Sequence, residues 1–372
     1  MSRFALLPIT VCIYEIVSLI LPLKISAWAK VFCALILISG LAKIFAIVRT
    51  ATGFDLYEMP YVVNLAVSLI FNFVIVAFFM LLIKDLIFIA WRFILRFQFP
   101  LHNASLFVFS IALCATLYGT YQGLKVPDVK IHEVFIENLG KDFDGMKIAM
   151  LVDIHADNLT DKDIVKGIVD KTNSLDPDLI LIPGDFVDGQ VKNRSADLRP
   201  IENLKARYGV YGVTGNHEYY FDYEGWIKEI KKFGVKLLEN ENVIITSGDS
   251  KIILVGVPDI TGAHMGLVAP DINLALKNVP ENLPIILMDH RPEFARENSK
   301  HNVTLQVSGH THGGQMPIID FLVRRANKGF VRGWYEIEGM KLYVSPGTSQ
   351  WNGFSLRLFD PSEITLFILR KK

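Results

Sequence analysis

The stretch GHTHGGQ, residues 309–315, places two histidines one residue apart between three glycines. The imidazoles of His310 and His312 can converge on one point only if the backbone between them bends. Glycine permits such bends and lets other groups approach closely. Two neutral nitrogen ligands presented in this way suit a transition-metal site. A glycine-rich turn with two solvated histidines is the simpler alternative, and the rest of the chain must decide between them.

Side chains that can bind metals also follow other predicted strands. Short apolar runs predict buried strands at residues 147–153, 178–185, 209–216, 251–257, 284–290 and 303–310. Five polar residues stand at or just beyond the carboxyl ends of these strands: Asp153, Asp185, Asn216, His290 and His310. In open α/β sheets, ligands bind in the crevice outside those ends. We therefore expect the five residues to meet at one place.

The segments between the strands predict how these residues are positioned. Residues 161–174, 224–233 and 291–298 have the periodicity and charge of helices. Strands that alternate with helices indicate a layered α/β core. The region from Tyr335 to Leu369 is richer in strands and turns, which predicts a second sheet packed on the first.

The candidate residues form an ordered series of motifs. They are Asp153-Ile154-His155, Gly184-Asp185, Gly215-Asn216-His217-Glu218, the isolated His290, and Gly309-His310-Thr311-His312. This series resembles D-x-H, G-D-x-x-D, G-N-H-[ED], a lone His and G-H-x-H, the motifs of the calcineurin-like metallophosphoesterases. Val152 replaces the commoner Ser, and no ligand is lost. The resemblance covers residues 130–370. The GHTHGGQ stretch and HRPE at 290–293 are most similar to membrane-anchored or exported members of bacterial type.

The resemblance implies an α/β/β/α sandwich of two sheets that holds two divalent cations. It assigns seven metal ligands: Asp153, His155, Asp185, Asn216, His290, His310 and His312. Asp185 would bridge the two ions, and His217 would be the catalytic residue that stabilises or protonates the leaving oxygen. Mixed nitrogen and oxygen ligands suit Mn, Fe, Zn or Ni better than Mg or Ca.

The implied reaction is hydrolysis of a phosphomonoester, phosphodiester or pyrophosphate by a metal-bridging hydroxide. Paired ions about 3.5–4 Å apart lower the pKa of the attacking water and neutralise charge on the phosphoryl oxygens. Three residues are weaker candidates for supporting roles. Asp188 is expected to cap a helix or accept a hydrogen bond, and Glu218 to orient its neighbours. Arg291 either binds substrate phosphate or pairs with Glu293 or another nearby acid.

The first third of the chain is a different kind of sequence. Residues 1–124 contain 8 Lys and Arg and 4 Asp and Glu, whereas residues 125–372 contain 30 and 34. Four apolar stretches approach the ~20 residues that cross a bilayer as a helix: Phe4–Leu23, Ala27–Val48, Tyr61–Ile83 and Ser105–Tyr121. The pattern predicts a multi-pass region of about four transmembrane helices at 1–124, followed by a catalytic domain at 125–372.

Two details of the apolar region carry expectations of their own. The run Leu86–Phe97 contains Arg92 and Arg96, so it is expected to extend the third helix or to lie in the membrane interface. Glu15 lies within the first stretch. A carboxylate at such a position is a functional candidate, but a hydrogen bond between helices is the favoured interpretation.

Loop charges predict the orientation of the spans. The first and third loops carry Lys24, Lys30, Lys84, Arg92 and Arg96, against Arg3, Arg49, Asp55 and Glu58 on the other side. The positive-inside rule then places the catalytic domain on the non-cytoplasmic side of the cell membrane. The three cysteines all lie before residue 125, so the catalytic domain needs no disulfide and discloses no redox compartment.

One segment bears on the substrate. Residues 318–335 mix Phe321, Leu322, Phe330 and Trp334 with Arg324, Arg325, Lys328 and Arg332. Basic and aromatic groups together suit the headgroup layer of a bilayer. We therefore hypothesise a flap that admits a lipid-linked phosphate. An ordinary loop with a solvated cationic face is the alternative.

Other functions are also compatible with parts of the sequence. A nucleotide phosphoesterase would use the same chemistry, and a catalytically silent membrane scaffold or sensor would use none. The retained ligand set argues against the silent scaffold. The net charge of −4 in residues 125–372 gives no cationic footprint, so nucleic acid is not an expected partner. Nearly uncharged spans argue against a transporter.

Overall fold

The structure is a computed structural model that describes residues 3–50, 58–94, 98–280 and 282–372. The chain divides into two compact units. The helical unit comprises Met1–Gln122 and Asn352–Leu356, and the α/β unit comprises Gly123–Trp351 and Arg357–Lys372. The short segment Asn352–Leu356 is therefore grouped with helices that precede it in the chain by more than 200 residues.

Four helices make up the described part of the helical unit before residue 125. They are α1 (Arg3–Glu15), which continues as a π-helical turn at Ile16–Ile20, α2 (Ala27–Thr50), α3 (Tyr61–Ile94) and α4 (Leu101–Leu124). Among the described residues, α3 and α4 are long and apolar enough to cross a membrane. The first two apolar runs, Leu7–Ile20 and Ala27–Gly40, are shorter. The expectation of four membrane-capable helices is therefore corrected to two within the part of the chain that the structure describes, because ~20 apolar residues are required.

Within the helical unit one detailed expectation is confirmed and two are changed by buried polar side chains. The predicted extension of the third helix is present, since α3 continues to Ile94; Arg96 lies outside the described residues. Lys84 is not a loop charge. It lies buried within α3, where its ammonium donates to the Ser18 carbonyl at 2.5 Å and pairs with Asp85 at 3.2 Å. Glu15 is fully buried, and its carboxylate has no hydrogen-bond partner among the residues described here, contrary to the favoured interpretation.

Two six-stranded sheets form the α/β unit. The strands are β1 (Asp128–Ile136), β2 (Lys147–Met150), β3 (Leu179–Pro183), β4 (Val210–Val213), β5 (Lys236–Leu237), β6 (Glu241–Ser247), β7 (Ser250–Gly256), β8 (Ile285–Met288), β9 (Leu305–Ser308), β10 (Gly333–Ile337), β11 (Met340–Val344) and β12 (Glu363–Lys371). The first sheet has the order β1-β12-β2-β3-β4-β5, and the second has the order β10-β11-β9-β8-β7-β6. In the first sheet β2 to β5 are parallel, and in the second β7, β8, β9 and β11 are parallel.

All six predicted strands are present, but they belong to different sheets. Strands β2, β3 and β4 lie in the first sheet, and β7, β8 and β9 lie in the second. The sequence suggested that the C-terminal region forms a second sheet of its own. The structure shows that it does not. Strands β10 and β11 extend the second sheet, whereas β12 inserts between β1 and β2 of the first. Apolar alternation predicts a strand but carries no information about its partner.

The main core lies between the two sheets. Ile148 and Leu181 of the first sheet share one apolar cluster with Leu254 and Ile286 of the second. A second cluster packs the other face of the first sheet against helices, and a third does so for the second sheet. These clusters give the α/β unit a layered arrangement of helices, two sheets and helices.

Helices on the outer faces connect the strands. They are α5 (Lys162–Ser174), α6 (Val191–Leu198), α7 (Asn216–Phe221), α8 (Tyr223–Lys232), α9 (Thr261–His264), α10 (Ile272–Ala275), α11 (Ala295–Asn298) and α12 (Pro317–Ala326). The helix α5 begins where the Asp161 carboxylate accepts backbone hydrogen bonds from Asp163 and Ile164. The predicted helix at 291–298 is instead a 3-10 turn, Pro292–Phe294, followed by α11.

Candidate metal centre

The first sheet brings four of the predicted ligands to its edge. Asp153 and His155 follow the end of β2, and Asp185 follows the end of β3. The backbone N–H of His155 donates to the carbonyl of Asp185 at 3.1 Å, so the two loops run side by side. Asn216 follows β4 and begins α7. The parallel order of these strands places their carboxyl ends next to one another.

The second sheet brings the other three. His290 follows the end of β8, and His310 and His312 follow the end of β9. The two loops meet those of the first sheet, because the Asp153 carboxylate accepts the backbone N–H of His310 at 3.0 Å. The predicted gathering of ligands at strand ends is therefore present, although it occurs between two sheets.

Seven of the eight predicted ligand and catalytic residues fall into three overlapping groups. Within each group one ligand atom per residue lies within 4.8 Å of the others. The groups are Asp153 with His155 and His312, His155 with Asp185 and His217, and Asp185 with His290 and His310. The eighth residue, Asn216, joins the third group, because its Oδ1 lies 3.2 Å from Nε2 of His290.

The backbone bends at the predicted ligands themselves. The φ angles are 54° at Asp153, 45° at His155, 53° at Asp185, 69° at His310 and 47° at His312. All five residues occupy the left-handed region, which few non-glycine residues adopt and in which Asp and His are enriched. The bend expected of the glycines is therefore shared, since Gly313 and Gly314 are left-handed at φ 63° and 78° and both histidines adopt the same conformation.

Neighbouring glycines also allow the loops to approach one another. A Cβ on Gly309 would lie 2.3 Å from Cγ2 of Val152 and 2.7 Å from Oδ2 of Asp153. A Cβ on Gly215 would lie 2.1 Å from Oδ1 of Asp185. These distances exclude any side chain at either position, so both glycines keep the carboxylates accessible to the histidines.

A buried carboxylate supports two of the histidines. Oδ1 of Asp188 lies 3.1 Å from Nδ1 of His155 and also forms a short hydrogen bond with Nδ1 of His217. Burial alone would raise the pKa of Asp188, but the two histidines hold it below its usual value. Of the two roles predicted for Asp188, the structure shows the hydrogen-bond acceptor. Its contact fixes Nδ1 of each ring, which leaves Nε2 for another partner.

Two arginines support the paired histidines of the GHTHGGQ stretch. The Arg357 guanidinium donates to the carbonyl of His312 at 2.6 Å and to its Nδ1 at 2.9 Å. Nη1 of Arg291 lies 3.3 Å from Nε2 of His310. Burial and the adjacent Arg291 lower the pKa of His310 to about 3, and burial with Arg357 holds that of His312 well below its usual value. Both rings therefore stay neutral, which is the form in which an imidazole binds a metal.

The remaining weaker candidates also lie beside the site. The Glu218 carboxylate accepts the backbone N–H groups of Gly215 at 2.7 Å and Phe186 at 2.8 Å, which orients the loops as expected. Arg291 pairs with Asp259 at 2.7 Å; Glu293, the partner considered first, does not take this role. Asp259 and Arg357 were missed because no motif includes them. A lone arginine in the apolar stretch GFSLRLF was the one available sign of Arg357.

The chemistry of these groups fits divalent cations. The Nε2 atoms of His155 and His312 lie 3.1 Å apart. Nδ1 of His290 donates to the Pro183 carbonyl at 2.8 Å, so its Nε2 faces Oδ2 of Asp185 at 3.2 Å. Burial of these carboxylates is costly without positive charge nearby. Nitrogen lone pairs and carboxylate oxygens that converge while each ring is fixed from behind are typical of metal ligands.

Several known proteins are similar in sequence to this chain. A family model described as calcineurin-like phosphoesterase matches residues 146–314. An uncharacterized metallophosphoesterase of Helicobacter pylori is 36% identical over 256 residues, which cover 68% of this chain and 67% of that protein. The uncharacterized metallophosphoesterase Cj0846 of Campylobacter jejuni is 35% identical over 285 residues, 76% of this chain and 72% of that protein. A Danio rerio protein named transmembrane protein with metallophosphoesterase domain is 31% identical over 270 residues, 70% of this chain and 61% of that protein.

The match to the family model begins one residue before β2 and ends within the GHTHGGQ stretch, so it contains every residue of the three ligand groups. Identity above 30% extends over two thirds of the length of the bacterial relatives. The clustered aspartates and histidines supply what a metal-dependent esterase of this kind needs. The chain belongs to the calcineurin-like phosphoesterases and is a metal-dependent phosphoesterase.

Proposed function

We propose that the protein is a membrane-anchored, dinuclear-metal phosphohydrolase that cleaves a phosphomonoester, phosphodiester or pyrophosphate. One observation carries the proposal: Asp185 belongs to the ligand group of His155 and also to that of His290 and His310. A carboxylate with two oxygens can serve two ions at once. Asp185 is also held in place, because its Oδ1 accepts the backbone N–H of His217 at 2.9 Å.

Each ion would have its own set of ligands besides Asp185. Asp153, His155 and His312 would hold one ion, and Asn216, His290 and His310 the other. Nitrogen and oxygen donors in this mixture favour Mn, Fe, Zn or Ni. When bound, two such ions supply an activated hydroxide and neutralise the charge on the phosphoryl oxygens.

His217 would act on the leaving oxygen. Its Nδ1 is occupied by Asp188, so Nε2 is the nitrogen that remains to donate a proton or a hydrogen bond. The ring is flanked by Tyr220 and Trp351, whose centroids lie 5.3 and 6.1 Å from its own. These aromatic neighbours restrict the ring and shield it from water, which strengthens its interaction with a developing negative charge.

A lipid or envelope phosphoester is the substrate class that we favour. In the segment 318–335, α12 exposes Phe321 and Leu322, at 67% and 64% of their full surface, next to Arg324 and Arg325. Phe330 is buried, so it anchors the segment. A helix with exposed apolar and basic residues suits a bilayer surface carrying anionic lipids. The name of the Danio rerio relative and the two apolar helices α3 and α4 support membrane attachment of this chain.

The rest of the proposal concerns organisation and location. Residues 1–124 would form the membrane region and residues 125–372 the catalytic domain. The catalytic domain would lie on the non-cytoplasmic side, with Lys24 in the first loop and Lys30 near the start of α2 as the remaining described support. A nucleotide phosphoesterase is the second candidate, because the same ligands would serve it. The retained ligands weigh against a silent scaffold.

The test is a substrate survey on the full chain in detergent with Mn²⁺. It uses p-nitrophenyl phosphate, bis-p-nitrophenyl phosphate, a nucleoside diphosphate and a lipid phosphate in vesicles. We expect hydrolysis of at least one class, with no hydrolysis by the matched variant Asp185→Asn. Elemental analysis of the same samples should give two ions per chain. Bound ions without hydrolysis of any class would instead identify a silent scaffold.

The vesicle arm separates the two substrate classes. Arg324→Glu with Arg325→Glu should slow hydrolysis of the lipid phosphate in anionic vesicles and leave hydrolysis of p-nitrophenyl phosphate unchanged, because reversed charge repels the lipid surface. Equal rates on vesicles for the variant and the unaltered protein would remove the support that α12 gives to a lipid substrate.

A further inference from the structure

Five residues near the C-terminal end of the α/β sequence are grouped with the helical unit. Asn352–Leu356 is grouped with the helical unit, while the residues on either side of it, Trp351 and Arg357, belong to the α/β unit. Within the helical unit the segment is buried. Ser355 is fully inaccessible, and Phe354 packs edge-on against Phe71 of α3, with ring centroids 5.8 Å apart.

One asparagine of α3 also forms side-chain contacts with the segment. Nδ2 of Asn72, in α3, lies 3.2 Å from the carbonyl oxygen of Ser355 and 3.3 Å from its Oγ. The same nitrogen lies 3.0 Å from Oγ1 of Thr120 in α4. Asn72 is fully buried. A buried amide that satisfies a backbone carbonyl in apolar surroundings is costly to lose, because the carbonyl is then left without a donor.

The two residues that flank the segment, Trp351 and Arg357, contact the candidate metal centre within the α/β unit. At one end the Arg357 guanidinium donates to His312 and, at 2.5 Å, to the carbonyl of Ser349. At the other end the Trp351 ring lies beside that of His217. The loop before the segment lies alongside the end of β2, since the backbone N–H of Ser349 donates to the carbonyl of Asp153 at 3.2 Å. The position of this loop therefore decides where both supporting side chains stand.

We propose that Asn72 is a positioning residue for the metal centre, acting through the segment Asn352–Leu356. By holding Ser355, it fixes the backbone on which Arg357 and Trp351 are placed, and so orients His312 and His217. The inference rests on the proposed function, because it concerns the same metal centre. It makes the helical unit a part of the catalytic machinery in addition to an anchor.

The sequence of α3 is consistent with this second task. Asn64, Ser68 and Asn72 recur at intervals of four residues, and all three are fully buried, so they form one polar stripe. The helix continues for 22 residues beyond Asn72 to Ile94, or about 33 Å at 1.5 Å per residue. That length alone crosses the hydrocarbon core of a bilayer, ~30 Å thick. The polar stripe is therefore not needed for crossing.

The test compares Asn72→Leu with Asn64→Leu in the full chain. Asn64 is the matched control, since it is equally buried on the same helix and has a partner, Ser68, in that helix. With Mn²⁺ and p-nitrophenyl phosphate, Asn72→Leu should lower kcat by about 10–100-fold, the range for residues that orient metal ligands. The KM should change little, and Asn64→Leu should keep kcat within about twofold of the unaltered protein.

Hydrogen exchange supplies a readout that is independent of activity. Asn72→Leu should speed exchange in residues 351–357 and leave β3 (Leu179–Pro183) protected, whereas Asn64→Leu should alter neither. Unchanged exchange and kcat in Asn72→Leu would overturn the proposal, and so would equal losses in both variants. If the unaltered protein hydrolyses no phosphoester, the proposed function fails, yet exchange in residues 351–357 still decides whether Asn72 holds the segment.

Discussion

The two halves of the metal centre are built on opposite charges. His155 and His217 follow strands of the first sheet. One buried carboxylate, Asp188, contacts Nδ1 of both rings. His310 and His312 follow a strand of the second sheet. Each contacts a guanidinium group, that of Arg291 for His310 and that of Arg357 for His312. The same side chain is thus placed in two electrostatic settings within one pocket.

The difference shows how a protein adjusts identical ligands. Burial lowers the pKa of His155, but Asp188 and the other carboxylates outweigh it and raise that pKa to about 9. His310 moves the other way, to about 3, through burial and Arg291. A carboxylate behind an imidazole makes it a stronger electron donor, whereas a guanidinium keeps it neutral but weakens it. We infer that His155 is the stronger donor and His312 the weaker one in the ion site that the two residues would share.

The largest loss of activity is expected from a change at Asp185, which belongs to ligand groups with histidines of both sheets. Asp185→Asn removes the charge that both ion sites share, so both should lose affinity. Hydrolysis should fall by more than about 10³-fold, since several kcal/mol of charge stabilisation depend on the paired ions. Elemental analysis and kcat/KM with Mn²⁺ measure this. Retention of both ions by the variant would show that the halves bind independently.

His217→Ala tests the half containing Asp188 without removing a proposed ligand. The expected loss in kcat is about 10²–10⁴-fold, the range for general acid–base groups, with both ions retained. A matched change at His264, in the short helix α9, should leave kcat unaltered. An unchanged kcat in His217→Ala would remove this residue from the mechanism.

Asp188→Asn should be milder, about 10–100-fold, because the amide keeps an acceptor oxygen but loses the charge. It should weaken metal affinity through His155 and lower kcat through His217. In a His217→Ala background the first effect should persist and the second should vanish, which a double-mutant cycle resolves. Additive losses in kcat would mean that Asp188 does not act through His217.

Arg291→Leu tests the second half and should have the smallest effect, about tenfold or less in kcat/KM. Its guanidinium is fixed by Asp259 beside His310, so its loss should weaken the binding of a phosphoryl group mainly through KM. Arg324→Leu, an exposed arginine in α12, is the control and should leave p-nitrophenyl phosphate hydrolysis unaltered. A large fall in kcat with constant KM would contradict a role in substrate binding.

The sequence motifs predicted the residues of the candidate site, but they did not predict the charged side chains that contact those residues. Asp153, His155 and the paired histidines were found because they recur at strand ends in ordered motifs. Arg357 and Asp259 were not, since their contacts span 45 and 32 residues and follow from tertiary packing. Lys84 was counted as a loop charge because composition does not reveal that Ser18 and Asp85 surround it within a helix.

The assignment of strands to sheets was also beyond the sequence. The alternation in Glu363–Lys371 identifies a strand, and the same pattern fits a place in either sheet. Its actual position, between β1 and β2, depends on pairing with segments more than 200 residues earlier. The left-handed conformations at the ligands were hidden for a similar reason, because the glycines nearby were the more obvious candidates for bending.

The position of β12 has a consequence for the order in which the protein is made. Since β12 is the neighbour of β2, the first sheet cannot close around the strand that leads to Asp153 until residues 363–371 have left the ribosome. Before that point the growing chain contains an incomplete first sheet. Strand β2 therefore gains its second neighbour only after all the strands that carry the proposed ligands have been made.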